Sequence, residues 1–175
     1  LHMQRVPHTQ WAVFSEFHYL DANINHASPC YTAWWKPNDG ECRAQLTVGI
    51  VATLPFPGAA RQGVMHREHR CVVLPDFQGL GFGTRISDMV AREYLAHGKR
   101  YQSKTAHPRF GQHRSRSAEW VGTANNLSYT TMKGVFGAAS RAKLREEGRE
   151  LHKRRGCFSH EFIGSERERV AYAAL

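Results

Sequence analysis

A glycine-rich segment carries the residues of this chain that are best suited to chemistry. Residues 78–83 read Gln-Gly-Leu-Gly-Phe-Gly, directly after the apolar run 71–75 and directly before a helical pattern over residues 84–97. A strand that turns through glycines into a helix directs several backbone N–H groups, together with the positive end of the helix dipole, at one point. Such a point favours phosphate, because glycine lacks the Cβ that would hold a phosphate away and tolerates positive φ.

The spacing of the glycines separates this segment from two other phosphate-binding motifs. A Walker loop requires a lysine after its last glycine, and Gly83 is followed by Thr84. A dinucleotide fingerprint requires GxGxxG and a later acid, whereas this chain has GxGxG and no acid in residues 101–105. A tight strand-to-helix turn without a ligand is the alternative interpretation.

The pattern Q-x-x-G-x-G at residues 78–83 resembles the coenzyme-binding loop of the GNAT superfamily of acyl-CoA transferases. The resemblance implies an α/β (α+β) fold with a mixed, mostly antiparallel central sheet flanked by helices. It implies acetyl-CoA or another acyl-CoA as the cofactor, with the pyrophosphate on the loop and the pantetheine arm along the preceding strand. The implied coenzyme-binding residues are Val72, Val73, Leu74, Gln78, Gly79, Leu80, Gly81, Phe82, Gly83 and Thr84.

The elements that would position this loop follow from apolar periodicity and turn-forming residues. The predicted strands are residues 30–35, 43–54, 65–74, 100–105 and 157–163. The predicted helices are residues 11–19, 84–97 and 138–152, the first with Val13, Phe14 and Phe17 directed inward. A hairpin turn is expected at residues 37–40, and residues 120–131 are expected to be irregular. The order of these elements is that of a GNAT core.

Length and composition predict one soluble domain. The chain has 175 residues, which suits a single domain over residues 4–175, with residues 1–3 expected to be a cloning remnant. Its apolar runs are too short to span a bilayer and no leader-like segment opens it, so we expect a cytoplasmic protein without membrane contact. The oligomeric state is left open.

Cysteine and histidine spacing gives no sign of a metal centre. The four cysteines, at positions 30, 42, 71 and 157, form no CxxC pair, and the eleven histidines form no HExxH motif. We therefore expect reduced thiols.

Basic charge is concentrated in two segments. Residues 99–116 contain six basic residues and no acid, and residues 141–155 contain seven basic residues against three acids, in a chain of net charge +9. Localised basic charge favours DNA or another nucleic acid as a partner, because clustered Lys and Arg release counterions from phosphates. A solvated surface is the alternative. The predicted phosphate contacts are Lys99, Arg100, Lys104, Arg109, Arg114, Arg116, Lys153, Arg154 and Arg155.

Acyl transfer from a thioester requires a neutral amine, donors for the developing oxyanion and, in many cases, a proton for the leaving thiolate. Glu68, on the strand before the glycine loop, is the candidate general base, and a strand-surface glutamate is the alternative. Tyr129 lies in the segment where many GNAT enzymes place a tyrosine acid, so the family resemblance implies that role for it.

Four more polar residues suggest the acceptor. His18 and Tyr19 end the first predicted helix, and Arg70 and Ser103 lie on predicted neighbouring strands, so we expect them to converge on one cleft. This set resembles, more loosely, the phage Mom proteins, GNAT-like enzymes that modify adenine in DNA. The resemblance implies a phage-encoded enzyme that protects DNA from restriction, with these four residues at the site.

A DNA base would have to be flipped out of the duplex to react, and Trp120, Tyr19 or Phe110 could stack on it. His18, Tyr19 and His160 could hold a metal, although the sequence establishes none. Three functions therefore stay open: modification of a nucleic-acid base, N-acetylation of a small-molecule or protein amine, and a non-catalytic GNAT-like binding module.

Overall fold

The structure, a computed structural model, describes residues 1–18, 22–37, 45–56, 64–129 and 156–173. Its strands are β1 His2–Val6, β2 Cys30–Trp35, β3 Leu46–Pro55, β4 Met65–Val73, β5 Arg100–Thr105, β6 Trp120–Gly122, β7 Ser128–Tyr129 and β8 Gly156–Phe162. Its α-helices are α1 Phe82–Ala96, α2 Pro108–Arg116 and α3 Glu166–Ala173. Shorter 3-10 helices cover His8–Val13, Ser15–Phe17 and Pro75–Phe77.

One mixed sheet forms the centre of the molecule. Its strand order is β1-β2-β3-β4-β5-β8-β6, and β7 pairs with β8. The pairings are antiparallel except for the parallel pair β4 and β5. That parallel pair holds together only from Met65 opposite Arg100 to Arg67 opposite Gln102. Beyond this point the two strands form a fork, and the β4 edge nearest the glycine loop is not paired with β5.

A β-bulge divides β4 into two halves. Ala52 lies opposite Arg70 and Thr53 lies opposite Glu68, so the register between β3 and β4 skips His69. Because side chains alternate between the faces of a sheet, one extra residue reverses the alternation. Glu68 therefore shares its face with Cys71, while Arg70 shares the opposite face with Val72.

Each face of the sheet has its own apolar core. Helix α1 covers one face with Ile86, Val90 and Tyr94, which recur at helical spacing and are buried. The first 3-10 helix covers the other face, where Trp11 and Phe14 pack with residues such as Ile50 and Val72. Among the described residues no helix is long and apolar enough to cross a bilayer.

Most of the predicted elements are confirmed. The strands at 30–35, 65–74, 100–105 and 157–163 agree with the structure to within one residue, and the helix predicted at 84–97 is α1. The predicted hairpin turn and the helix at 138–152 lie outside the described residues.

The prediction for residues 11–19 is wrong both in the type of helix and in which side chains are buried. The segment forms two 3-10 helices, and although Phe14 is buried, Val13 and Phe17 are 55% and 39% exposed. Residues 2–6, partly set aside as a remnant, form β1 along the edge of β2. Helix α2, helix α3 and strands β6 and β7 were not predicted.

Candidate functional site: a glycine loop beside a polar interior

The glycine loop, residues 78–83, has the backbone conformation that its sequence predicts. Gly79 and Gly81 both have φ of 80°, and a Cβ at either position would have no heavy atom within 4 Å in the described part of the chain. Conformation therefore requires these glycines, because a side chain would strain the backbone even though the space is open. Gly83 has a different reason, since its Cβ would lie 3.2 Å from the Phe110 ring.

The loop presents unpaired amide groups. The Gln78 amide donates to the Pro75 carbonyl at 3.1 Å, and the Arg85 amide donates to the Gly81 carbonyl at 3.3 Å. Between these two bonds, the amides of residues 79–84 donate to no acceptor among the residues that the structure describes. Six consecutive N–H groups without an acceptor in the described structure, at the start of a helix, form a site suited to an anion.

Two side chains fix the shape of the loop. Gln78 Nε2 donates to the Val73 carbonyl at 2.9 Å and joins the loop to the end of β4. Thr84 Oγ1 donates to the Gly81 carbonyl at 2.9 Å across the helix start. The amide donors are therefore held in place by the protein itself.

The end of β4 has one free edge beside this loop. The Leu74 amide donates to the Val48 carbonyl at 2.9 Å, so the Leu74 peptide group faces β3. Peptide groups alternate in direction along a strand, which turns Val73 toward the fork. The side chain of Val72 is buried against the first 3-10 helix. Of the three residues predicted to face the pantetheine arm, Val73 offers its peptide group to the open edge.

A buried polar cluster lies immediately beyond the last pair of β4 and β5. It consists of Glu68, Ser87, Tyr101, Ser103 and Arg114. Tyr101 and Arg114 are each 1% exposed, Ser87 and Ser103 are fully buried, and the Glu68 side chain is 8% exposed. Its members come from β4, α1, β5 and α2, so the cluster joins four elements.

Every member of the cluster contacts the Glu68 carboxylate. Ser87 Oγ donates to it at 2.5 Å, Tyr101 OH at 3.1 Å and Ser103 Oγ at 3.0 Å. Arg114 Nη2 lies 3.1 and 3.2 Å from its two oxygens, and Arg114 also donates to Ser87 and Ser103. A buried carboxylate is tolerated only when it is paired and hydrogen-bonded in this way.

Aromatic rings enclose the arginine of the cluster. The Arg114 guanidinium carbon lies 4.2 Å from the centroid of Phe110 and 4.5 Å from that of Trp120. The Trp120 indole donates to Asp88 at 2.9 Å. Two of the three rings that the sequence suggests as base-stacking surfaces, Phe110 and Trp120, therefore contact an internal cation.

Burial sets the protonation of the groups around the cluster. Burial raises the pKa of the Tyr101 hydroxyl, and the negative charge of Glu68 raises it further. The same two causes raise the pKa of the Cys71 thiol. Burial lowers the pKa of His160, with a further contribution from the positive charge of Arg114. Tyr101 and Cys71 thus keep their protons near neutral pH, and His160, 3.1 Å from Ser115 Oγ, is a neutral imidazole.

The predicted catalytic residues divide between the two faces of the sheet. Glu68 and Ser103 do meet, in the buried polar cluster. Arg70 lies on the opposite face, where it donates to the Asn23 carbonyl at 3.3 Å and to the His69 carbonyl at 3.1 Å. The expected convergence of Arg70 and Ser103 on one cleft is wrong, because the bulge at His69 reverses the side on which Arg70 points.

The remaining predicted catalytic residues are His18, Tyr19 and Tyr129. His18 lies beside Trp11, with ring centroids 5.7 Å apart, on the face that Arg70 shares. Tyr129 is in β7 and pairs with Gly156. Tyr19 lies outside the described residues.

The predicted phosphate contacts differ in their availability. The prediction for Arg114 is wrong, because it is buried against Glu68. Arg100 is ion-paired with Glu161 at 2.6 Å. Lys104, Arg109 and Arg116 are exposed and Lys99 is half-buried, while residues 153–155 lie outside the described part of the chain.

The described residues contain no group of three or more histidine, cysteine, aspartate or glutamate side chains placed to hold a metal. His160 therefore has no such group around it, and Tyr19, the third proposed ligand, is not described. Cys30, Cys71 and Cys157 form no disulfide with one another in the described part of the chain.

Sequence reasoning missed the roles of Ser87, Tyr101 and Arg114. Ser87 does carry a signal, because it is a polar residue on the face of α1 that also presents Ile86, Val90 and Tyr94. Arg114 carries none, since it lies in a run of basic residues whose other members are polar and exposed.

Comparison with solved structures identifies the fold as that of the GNAT acetyltransferases. Spermidine/spermine N-acetyltransferase SpeG from Vibrio cholerae superimposes with a TM-score of 0.57 at 8% identity, over 99% of this chain and 97% of that one. IAA acetyltransferase from Bacillus cereus gives 0.52 at 12% identity, over 92% and 97%. A candidate GNAT-family acetyltransferase from Desulfovibrio desulfuricans gives 0.52 at 14%, over 74% and 91%. No protein-family model and no curated protein matches the sequence significantly.

Proposed function

We propose that this protein transfers an acyl group from an acyl-CoA to an amine. The observation that carries the proposal is the run of unpaired amides at residues 79–84, at the start of α1 and beside the open edge of β4. A coenzyme A diphosphate supplies the anionic acceptors that such a run of donors lacks. SpeG, which has the same fold, is named for acetylating an amine.

The open edge of β4 gives the rest of the coenzyme a path. An extended pantetheine arm can accept a hydrogen bond from the Val73 amide, whose own carbonyl is occupied by Gln78, and run back toward the bulge. The five residue steps from Val73 to Glu68 span about 17 Å of strand. This direction brings the thioester to the fork, where backbone N–H groups can stabilise the oxyanion that forms when the amine attacks.

Glu68 is better suited to positioning than to proton transfer in this reaction. A general base needs a lone pair directed at the incoming proton, whereas the Glu68 carboxylate already accepts from Ser87, Tyr101, Ser103 and Arg114. We therefore propose that Glu68 holds the fork in shape. The Glu68→Gln variant should lose stability while its rate keeps the pH dependence of the wild type. A pH profile that loses its fall in rate at low pH would make Glu68 the base.

The amine assignment is preferred to DNA-base modification. The DNA hypothesis depends on localised basic charge, and two of its nine predicted contacts, Arg100 and Arg114, are paired within the protein. The solved structures of similar fold that are named above are acetyltransferases, and none is named for acting on DNA.

Thiol release from acetyl-CoA tests the proposal directly. The purified protein is incubated with a polyamine, an amino acid, a lysine-containing peptide or duplex DNA, and the DNA is digested for nucleoside mass spectrometry. We expect thiol release with at least one amine and no modified nucleoside. Gly81→Glu should abolish release, because it places a carboxylate in the diphosphate site. Gln112→Glu adds the same charge at an exposed position of α2 and should leave release unchanged.

Each alternative has its own result in this experiment. Acetyl-CoA binding without transfer to any acceptor would favour a binding module. A new nucleoside would favour DNA modification. Absence of coenzyme binding by calorimetry would overturn the proposal.

A further inference from the structure

Three aromatic rings, which we call the aromatic patch, lie together beside the glycine loop. Trp35 ends β2, Phe77 lies in the 3-10 helix that precedes the loop, and Phe82 begins α1. The Trp35 ring centroid is 6.4 Å from that of Phe77 and 6.2 Å from that of Phe82, and the last two are 5.8 Å apart. Phe77 and Phe82 are partly buried against the core under α1, whereas Trp35 is 37% exposed. The patch thus presents an exposed indole on a packed base.

Strand order places the aromatic patch on one side of β4 and the fork on the other. Tyr31 and Ala33 pack in the core that α1 covers, and Trp35 follows them at the two-residue spacing of one strand face. Leu46, directly opposite Trp35 in β3, is 38% exposed and widens the apolar surface. The order β2-β3-β4-β5 puts this surface on the side of β4 away from β5.

This arrangement matches the two ends of coenzyme A. The pantetheine arm leaves the diphosphate at one end and the adenosine leaves it at the other. With the diphosphate on the amides of residues 79–84 and the arm at the fork, the adenosine is directed toward the aromatic patch. Only a ribose separates the diphosphate from the adenine, and Phe82 carries both a loop amide and one ring of the patch. We infer, on the basis of the proposed function, that the adenine ring of the donor stacks on Trp35.

An adenine ring suits this surface better than a protein does. A specific protein interface needs about 800 Å² on each partner. A tryptophan side chain offers about 250 Å² at most, so the exposed part of Trp35 is less than about 100 Å². A purine needs only one accessible ring face to stack. The donor is therefore free acyl-CoA, in preference to the same thioester on a carrier protein, whose phosphopantetheine lacks adenine.

Positive charge adjoins the aromatic patch. Lys36 follows Trp35 in sequence, and Arg85 lies about one helical turn after Phe82. Both cations are exposed, and neither makes an ion pair with a residue that the structure describes. The described residues that adjoin the patch in sequence carry these two cations against one acid, Asp76. The 3′-phosphate of coenzyme A, on the ribose that bears the adenine, is an acceptor for such cations.

A comparison of coenzyme A with 4′-phosphopantetheine tests the inference, because the second ligand lacks the adenosine. The affinity of each ligand for the wild type and for Trp35→Leu is measured by isothermal titration calorimetry. We expect Trp35→Leu to weaken coenzyme A binding by about fivefold or more and to leave 4′-phosphopantetheine binding unchanged. Trp35→Phe keeps an aromatic ring and should retain most of the affinity for coenzyme A.

Tryptophan fluorescence supplies a second readout. Adenine stacked on an indole quenches its emission, so coenzyme A should quench the wild type strongly and Trp35→Phe much less. Phe17→Leu is the matched control, because Phe17 is an aromatic residue with a similar exposure, 39%, in the second 3-10 helix. This control should bind coenzyme A as the wild type does.

The possible failures of the inference are distinct from failure of the proposed function. Equal weakening of both ligands by Trp35→Leu would show that Trp35 supports the loop and not the adenine, and would overturn the inference. An unchanged affinity of that variant for coenzyme A would do the same. Tighter binding of an acyl carrier protein than of coenzyme A would make the patch a protein-docking surface instead. The proposed function fails when the wild type binds neither coenzyme A nor 4′-phosphopantetheine.

Discussion

The glycine loop and the buried polar cluster adjoin the same helix and use their polar groups in opposite ways. The amides of residues 79–84 have no acceptor within the described structure, whereas the Glu68 carboxylate accepts from four side chains. Thr84 and Ser87 lie about one helical turn apart and show this difference. The Thr84 amide has no acceptor within the described structure, whereas the Ser87 hydroxyl donates to Glu68. Polar groups that lack partners are available to a ligand, and polar groups that satisfy one another hold the fold together.

Loss of the arginine from the cluster should have the largest effect on stability. Arg114→Met leaves the Glu68 carboxylate buried without its cation, and we expect the free energy of unfolding to fall by about 3–5 kcal/mol. Urea denaturation measures this change. Arg116→Met, at an exposed position of the same helix, should change stability by less than about 0.5 kcal/mol.

The double variant Glu68→Leu with Arg114→Met sharpens this test. Removing both charges avoids an unpaired buried ion, so the double variant should be more stable than Arg114→Met alone. If Arg114→Met were as stable as Arg116→Met, the cluster would not hold the fork together.

Substitutions in the glycine loop should affect coenzyme binding more than they affect stability. Gly79→Ala combined with Gly81→Ala adds methyl groups that meet no atom of the described residues but forces two side chains into positive φ, at about 1–2 kcal/mol each. The loop can relieve this strain by moving, which displaces its amides. We expect acetyl-CoA affinity, measured by calorimetry, to fall about tenfold. Unchanged affinity would mean that the loop amides do not contact the coenzyme.

A matched pair of hydroxyl deletions compares the two regions on one helix. Ser87→Ala removes a buried donor to Glu68 and should cost about 1–3 kcal/mol. Thr84→Ala removes a bond at the exposed helix start and should cost less than about 0.5 kcal/mol. Thermal unfolding of both variants gives the comparison. Equal losses would show that burial does not distinguish the two sites.

The smallest effect should appear in the pH dependence of stability. His160 has a pKa lowered from 6.5 by burial and by Arg114, so the unfolded chain binds its proton at higher pH than the folded one. Its contribution to stability is present above pH 6.5 and is lost as the pH falls through the lowered pKa. His160→Gln should flatten this part of the profile in urea denaturation.

Local sequence signals predict the loop well because its function depends on local conformation. Two glycines at positive φ, a preceding strand and a following helix are all encoded within residues 65–97. The central strands were predicted for a similar reason, since β-branched and apolar runs mark them whatever their partners are. The GNAT fold that these signals predict is confirmed by the solved structures of similar fold.

The cluster could not be predicted because its partners come from distant parts of the chain. Glu68 and Arg114 are 46 residues apart, and neither position differs by type from a surface residue. The face on which Arg70 lies depends on the bulge at His69, which no local pattern marks. Arg114 was therefore assigned to the basic surface, and Arg70 to the wrong side of the sheet.

The short parallel pairing of β4 and β5 affects how the protein would respond to a molecule that binds at the fork between these strands. The ion pair between Glu68 and Arg114 lies just beyond the last pair, Arg67 opposite Gln102, and keeps the two strands apart. An incoming molecule would not have to separate the two strands. We expect crystals grown with and without it to superimpose closely around residues 65–73 and 100–105, with differences confined to side-chain rotamers near Phe110.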